Sequence, residues 1–204
     1  MRSQKTSVLA SSHDRIREAA KAFFAERGYE ATSTAEICRL AGTSQSQLIK
    51  HFTNKQGLLE AIFEHAWEQV NPAIQLAIEK IPSSTDKLKI AVDMVLSFLQ
   101  KDREQRTIFL LEGRRMRGDG HLVSLTPGFL DFIRTLDGIL KEMSERGELV
   151  SNAHPHAVRS ALMGAFEGLL RDQMLARSSR FPAAYSEGDL RAVFSTFLSA
   201  FVAR

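Results

Sequence analysis

The sequence predicts an all-α protein in which a small helix-turn-helix module precedes a larger helical body. Apolar residues recur at helical spacing through most of the chain, and serine, asparagine, glycine and proline occur where these segments begin and end. No segment combines sustained apolar–polar alternation with the β-branched enrichment typical of a strand. We expect about nine helices, with residues 1–54 as the module and residues 55–204 as the body.

The first two predicted helices are defined by their capping residues. The first covers residues 12–27, and the glycine that follows it stands where a C-cap glycine belongs. Ser33 and Glu36 have the spacing of a capping box at the start of the second helix, and another glycine ends it. Ile37 and Leu40 are expected on the inner face of this second helix.

The third predicted helix is short and polar and lies within GTSQSQLIKHFTNK, residues 42–55. Ser44 is the natural N-cap, with Gln47 as its box partner, and the helix can run only to about Phe52. Leu48 and Phe52 are its only large inward-facing residues. Because an isolated helix of eight residues is marginal in water, its neighbours must hold it, which leaves its outward residues free for another task.

Six helices are expected in the body. Asn54 or Thr53 caps the first of them, and Pro72 lies inside it, where proline favours a kink. The stretch IPSS at residues 81–84 is a clear break, and SSRFPAAYSEGD is expected to be a loop. The predicted ranges are 55–80, 85–101, 104–117, 125–146, 155–177 and 187–203.

Composition restricts the class of protein. Hydrophobic residues make up 44% of the 204 residues, and no apolar run reaches the roughly 18 residues that a membrane helix needs. The start, MRSQKTSVLASSHD, lacks an apolar stretch of signal-peptide length, so we expect a cytoplasmic protein without a membrane partner. The single cysteine, Cys38, excludes an internal disulfide, and we expect a buried inert thiol rather than a redox sensor.

Charge and side-chain chemistry favour a nucleic-acid partner. The net charge is +3, and residues 1–55 hold nine Lys or Arg against five acids, so the module is basic and the body near neutral. Two short helices joined by AGT have the form of a helix-turn-helix, whose second helix enters the major groove. Glutamine can pair bidentately with adenine, and lysine can neutralise phosphates. The residues alone leave open a solvated helix in a helical hairpin.

The run AAKAFFAERGYEATSTAEICRLAGTSQSQLIKHFTNKQGLLEAIFEHA, about a quarter of the chain, resembles the N-terminal domain of the tetracycline-repressor (TetR) family of transcriptional regulators. Three phrases carry the resemblance together: F-A-E-x-G-Y-x-x-T-S, the turn I-x-x-x-A-G, and H-F-x-N-K-x-x-L. The resemblance implies an all-α homodimer with a DNA-binding domain at residues 1–54 and a ligand-binding and dimerisation domain at residues 55–204.

The resemblance also implies which residues contact DNA. They lie at the start of helix two, along helix three and at the start of helix four: Ser33, Thr34, Thr43, Ser44, Gln45, Ser46, Gln47, Lys50, His51 and Lys55. One position departs from the family, since Ile49 stands where a tyrosine is usual and cannot donate a hydrogen bond. Two roles remain open for Ile49, contact with a thymine methyl group or simple filling of space.

The body is rich in phenylalanine and methionine, which favours an apolar cavity between helices that binds a largely apolar small-molecule effector. Such residues at helical spacing are also what an ordinary filled core would contain. The candidate ligand-binding residues are Trp67, Met94, Phe98, Phe109, Glu112, Arg115, Met116, Phe129, Phe132 and Phe166.

Helix eight carries two glycines in its interior, each of which costs about 1 kcal/mol relative to alanine. Close approach of another helix would offset this cost, and the resemblance implies a four-helix interface with a second subunit. Close packing within one chain is the alternative. The candidate interface residues are Ala161, Gly164, Ala165, Gly168, Leu169, Phe194 and Phe197.

Together these patterns predict a transcriptional regulator, with repression through occlusion of a palindromic operator preferred over activation. An enzyme and a pure protein-interaction bundle are the alternatives. No nucleophile motif, phosphate loop or helical His-Glu-x-x-His pattern is present, and the histidines at 121, 154 and 156 lack a clear third metal ligand. We therefore expect no enzymatic activity, no cofactor and no metal.

Overall fold

The structure is a computed structural model that describes residues 11–113, 115, 122, 125–178 and 181–203. These residues form nine α-helices and no strand, which confirms the all-α prediction. No described helix is both long enough and apolar enough to cross a bilayer. The helices are α1 Ser12–Arg27, α2 Thr34–Ala41, α3 Gln45–Phe52, α4 Lys55–Ile78, α5 Ser84–Lys101, α6 Arg103–Glu112, α7 Pro127–Glu145, α8 Pro155–Ser178 and α9 Glu187–Ser199.

The short helices α2 and α3 begin at the predicted caps. Ser33 and Glu36 form a complete capping box, in which each side chain accepts from the other residue's backbone N–H. Ser44 Oγ accepts from the backbone N–H of Gln47 at 3.3 Å, but its second partner is Ser46 Oγ at 2.8 Å. The N-cap prediction for Ser44 is therefore confirmed, while the described hydrogen bonds contain no return bond from the Gln47 side chain.

Two helices end four or more residues earlier than predicted. α6 ends at Glu112 where residue 117 was predicted, with residues 114, 116 and 117 lying outside the described residues, and α9 ends at Ser199 instead of residue 203. The reason at α9 is backbone pairing with the segment after α7, since Val150 N–H donates to Phe201 O and Ala203 N–H donates to Glu148 O at 2.7 Å. These bonds replace the helical ones that a longer α9 would make.

The buried side chains form two hydrophobic clusters joined along α4. The first cluster, the N-terminal cluster, contains the inner faces of α1 to α3, the first half of α4 and Ile108 of α6. The second, the body cluster, is built from the rest of α4 with α5, α7, α8 and α9. Phe109 of α6 packs against both clusters. A single 24-residue helix thus runs from the helix-turn-helix into the core of the body.

The start of α7 is fixed to α4 at Gly128. Its backbone N–H donates to both carboxylate oxygens of Glu64, at 2.9 and 3.2 Å, and its carbonyl accepts from Asn71 Nδ2 at 2.8 Å. A Cβ atom at this position would lie 2.6 Å from Trp67 Cβ, closer than real Cβ contacts occur. Only glycine allows the two helices to approach this closely.

Gly128→Ala is therefore expected to lower the free energy of unfolding by about 1–3 kcal/mol, the usual cost of overpacking. Gly138→Ala is the matched control on the same helix, because a Cβ there meets nothing within 4 Å. It should raise stability by up to about 1 kcal/mol through helix propensity. Thermal melts of the two variants measure this, and equal melting temperatures would contradict the close approach at Gly128.

Candidate nucleic-acid interface and effector cavity

Helix α3 is held in place by two buried residues and by contacts with the start of α1. Leu48 and Phe52 are 1% and 4% exposed, as predicted for the inward-facing pair. The ring of His13 stacks on Phe52 with centroids 4.6 Å apart, and Ser12 Oγ lies 2.9 Å from His51 Nε2. Because tertiary contacts hold the short helix, its outer surface needs no packing partner from the same chain.

The outer surface of α3 is a compact polar patch with one apolar residue. At 100° per residue, Ser46 and Lys50 point away from the buried pair, and Gln47 and Ile49 flank them on either side. Gln45, in the first turn, is exposed as well. Ile49 is 59% exposed, which argues that it does not serve to fill space within the fold. We call these five residues the recognition surface.

The other candidate DNA-contacting residues around α2 and α3 are less free to contact DNA, because they are hydrogen-bonded within the chain or half-buried. Ser33 Oγ donates to Glu36 Oε2 at 2.7 Å within its capping box, and Ser44 serves as the N-cap of α3. Thr34 and Thr43 are half-buried. His51 is also half-buried and turned toward Ser12, so its ring is engaged with α1 rather than extended from the surface.

Lys55, one of the candidate DNA contacts, is engaged within the chain. Its Nζ donates to the carbonyls of Tyr29 at 2.8 Å and Thr32 at 3.0 Å, and lies 4.2 Å from the centroid of the Tyr29 ring. Two of the three ammonium donors are therefore used to fasten the loop between α1 and α2. Lys50, in contrast, is exposed on the recognition surface.

Helix α2 corrects one expectation and supports another. Leu40 was expected on the inner face but is 56% exposed, and Ala41 is buried with Ile37 in its place. The exposed Leu40 was missed because its three-residue spacing from Ile37 matches the helical period. Cys38 is buried, and this burial raises the pKa of its thiol, which keeps it protonated and unreactive.

The body contains a cavity of about 400 Å³ whose lining is almost entirely apolar. It lies where α4, α5, α6, α7 and α8 meet, and Glu167 is the only ionisable group on its described wall. A space of this size falls in the range of small-molecule sites. Five of the predicted ligand-binding residues line it: Trp67, Phe109, Phe129, Phe132 and Phe166.

The remaining candidate ligand residues lie elsewhere. Met94 lines a surface groove between α5 and α9, and Phe98 packs at the edge of the body cluster. Glu112 is buried away from the cavity, and Arg115 reaches Glu30 at 3.2 Å, which links the body to the loop after α1. Met116 lies outside the described residues.

Sequence reasoning missed several cavity residues that sit one turn from those it found. Phe63 precedes Trp67 by four residues on α4, and Met163 and Glu167 flank Phe166 on α8. Leu110 and Leu170 complete the side formed by α6 and α8. Helical spacing around Trp67 and Phe166 could have identified Phe63 and Leu170, since residues four apart share a face.

The glycines of α8 lie on an open surface of the chain. Among the described residues, a Cβ at Gly164 or Gly168 would meet nothing within 4 Å, so close packing within this part of the chain does not account for them. Ala161 is exposed, and the candidates that are half-buried beside it are Ala165, Leu169 and Phe197. Phe194 is only 5% exposed and belongs to the body cluster, so it is not part of this surface.

The chain is similar to known regulatory proteins at both sequence and structure level. Residues 16–62 match the family described as "Bacterial regulatory proteins, tetR family". The HTH-type transcriptional repressor BepR of Brucella suis is 24% identical over 168 residues, 80% of each chain, and the HTH-type transcriptional regulator UidR of Escherichia coli is 24% identical over 190 residues, 91% of this chain and 92% of its own.

A solved structure extends the likeness to the whole fold. The transcriptional regulator FadR from Bacillus subtilis, in complex with stearoyl-CoA, superposes with a TM-score of 0.79 at 21% identity, covering 94% of this chain and 98% of its own. At this level of identity the likeness concerns the arrangement of the helices.

Proposed function

Because the chain belongs to the tetR family of bacterial regulatory proteins, we propose that it is a ligand-responsive repressor that binds a palindromic operator as a homodimer. The observation that carries this proposal is the recognition surface on α3. It presents polar side chains, one lysine and one isoleucine on a short helix whose opposite side is buried.

The recognition surface suits the major groove in both shape and chemistry. Gln47 can donate to and accept from one base edge, and Lys50 can neutralise a phosphate. The exposed Ile49 has no hydrogen-bonding group, so the contact that fits it is the methyl group of a thymine. The grip on the DNA backbone then rests on Lys50 more than on Lys55, whose ammonium is largely engaged within the chain.

Gln47→Ala is expected to weaken binding to the cognate operator by about 1–3 kcal/mol and to relax preference at one base position. Lys50→Met should weaken binding to all sequences and lower the salt slope by about one. Lys55→Met is the contrasting variant: it should lower the melting temperature through the lost bonds to Tyr29 and Thr32. Operator selected from random DNA, followed by gel shifts at several salt concentrations, measures these effects.

Unchanged operator binding by both Gln47→Ala and Lys50→Met would show that α3 does not bind the operator. A reduced salt slope for Lys55→Met, without loss of stability, would show instead that Lys55 binds phosphate despite its internal contacts.

The open surface of α8 supports a symmetric dimer through α8 and α9. Gly164 and Gly168 lie one turn apart, which gives a second α8 room to approach closely. Two subunits would place two copies of α3 on the half-sites of a palindrome. The proposed interface keeps Ala161, Ala165, Leu169 and Phe197 and omits the buried Phe194.

Gly168→Leu is expected to shift the protein toward monomer in sedimentation, because the larger side chain fills the space a partner helix would use. Gly138→Leu is the matched control, since it also replaces a helical glycine with open space around it. Operator affinity should fall with the first variant and not with the second. A parent protein that sediments as a monomer at micromolar concentration would refute the dimer.

The cavity supports an effector that relieves repression. Its apolar lining favours an apolar molecule, and the similarly folded FadR structure is a complex with stearoyl-CoA. An effector shifts the protein between two arrangements only if it binds one of them better. Here that effector would favour an arrangement in which the two copies of α3 no longer match two major grooves.

A further inference from the structure

Arg106 is a nearly buried cation without a partner. It lies near the start of α6 and is 6% exposed, and among the described residues its guanidinium makes no hydrogen bond and no ion pair. Its nitrogens still reach solvent, since none of them is among the fully buried unsatisfied atoms. Arginine keeps its proton at physiological pH, and burying an unpaired charge is unfavourable. An anion at this position would remove that cost.

The charges around Arg106 leave this region positive. Burial lowers the pKa of Arg106, and the neighbouring Arg177 and Arg103 lower it further, whereas Glu187 acts in the opposite direction. Glu187 lies 4.0 Å from Arg177, so the one carboxylate already has a cationic partner. Arg103 is exposed. The potential at Arg106 therefore favours an anion from outside the chain.

Arg106 also lies one helical turn from the cavity-lining Leu110, along the contact of α6 with α8, here called the α6–α8 seam. Arg171 donates to the carbonyl of Leu110 at 3.4 Å, which sets α6 beside α8 at this level. Leu110 and Leu170 face the cavity there. Arg106 precedes Leu110 by one turn, and Arg177 follows Leu170 by two turns, so both cations lie on the same side of the cavity wall.

This end of the seam is accessible from the surface. A hollow lined by Arg177, Glu187 and residues 181–186 opens beside it. Arg177 thus belongs both to this hollow and to the cationic surroundings of Arg106.

We propose that the α6–α8 seam holds an anion subsite centred on Arg106, which binds the carboxylate or phosphate head group of an amphipathic effector whose apolar part occupies the cavity. The proposal rests on the proposed function, because it assigns a chemical class to the effector of that cavity. The guanidinium group matches both head groups, since it donates two parallel hydrogen bonds to either.

Other ligand classes fit these observations less well. A neutral apolar molecule would fill the cavity and leave Arg106 unpaired. A cationic amphiphile would be repelled by Arg106, Arg103 and Arg177. A free inorganic anion would pair with Arg106 but leave the cavity empty.

The test compares ligands that share the same alkyl chain and differ in head group. Dodecanoate, dodecyl phosphate and methyl dodecanoate are titrated below their micellar concentrations, with inorganic phosphate as the probe for a free anion. Trp67, the only tryptophan, lines the cavity, so its emission reports entry of the ligand's alkyl chain. The two anions are expected to bind about tenfold to a hundredfold more tightly than the ester, the usual effect of a charged hydrogen bond.

The variants are Arg106→Met and Arg159→Met. Arg106→Met should abolish the preference for the anions and raise the melting temperature of the ligand-free protein by a few degrees, roughly 2–4 °C, because it removes an unpaired charge. Arg159 is the matched control: it is partly buried on α8 and paired with Asp137. Arg159→Met should lower the melting temperature and keep the preference for the anions.

Each alternative result overturns the subsite. Equal binding of dodecanoate and its ester would refute it and leave the proposed function intact. An unchanged preference in Arg106→Met would place the head group elsewhere. Inorganic phosphate that raises the melting temperature as much as dodecanoate would assign Arg106 to a free anion. No change in Trp67 emission with any of the dodecyl ligands would contradict both the anion subsite and the apolar effector. Operator binding measured in gel shifts would be unaffected by that result.

Discussion

The contact between the N-terminal cluster and the body cluster depends on the packing of Phe109 against two aromatic residues of α4. Its ring centroid lies 4.8 Å from that of Phe63 and 5.7 Å from that of Trp67. Phe63 belongs to the N-terminal cluster and Trp67 to the body cluster, and Phe109 lines the cavity as well. A ligand that displaces Phe109 would therefore disturb the contact of α6 with α4.

Two ion pairs reinforce the same junction from the outside. Lys21 of α1 donates to Asp102, the N-cap of α6, at 2.9 Å, and Arg115 reaches Glu30 at 3.2 Å. Burial raises the pKa of Asp102, but hydrogen bonds from Gln105 and Lys21 outweigh it and hold that pKa below its ordinary value. The carboxylate therefore stays charged at neutral pH and ties the start of α6 to α1.

How much of this structure could be predicted from the sequence depends on how far apart in the chain the contacting residues lie. Caps such as Ser33 act within four residues, so the helix starts could be predicted. Trp67 and four phenylalanines could be assigned to a cavity from the aromatic content of the body. The engagement of Lys55 with the carbonyl of Tyr29 joins residues 26 apart, and the contact of His51 with Ser12 joins residues 39 apart. No local pattern encodes such contacts, and the unpaired state of Arg106 likewise depends on the tertiary fold.

The proposed coupling between the cavity and the operator, through Phe109, can be measured directly. Trp67 emission gives the dodecanoate affinity of the parent and of Phe109→Ala, each with and without bound operator. We predict that operator weakens dodecanoate binding in the parent by a factor in the usual range of about 5–150, and that the factor falls to near one in Phe109→Ala. An unchanged factor in the variant, or no weakening in the parent, would show that Phe109 does not couple the two sites.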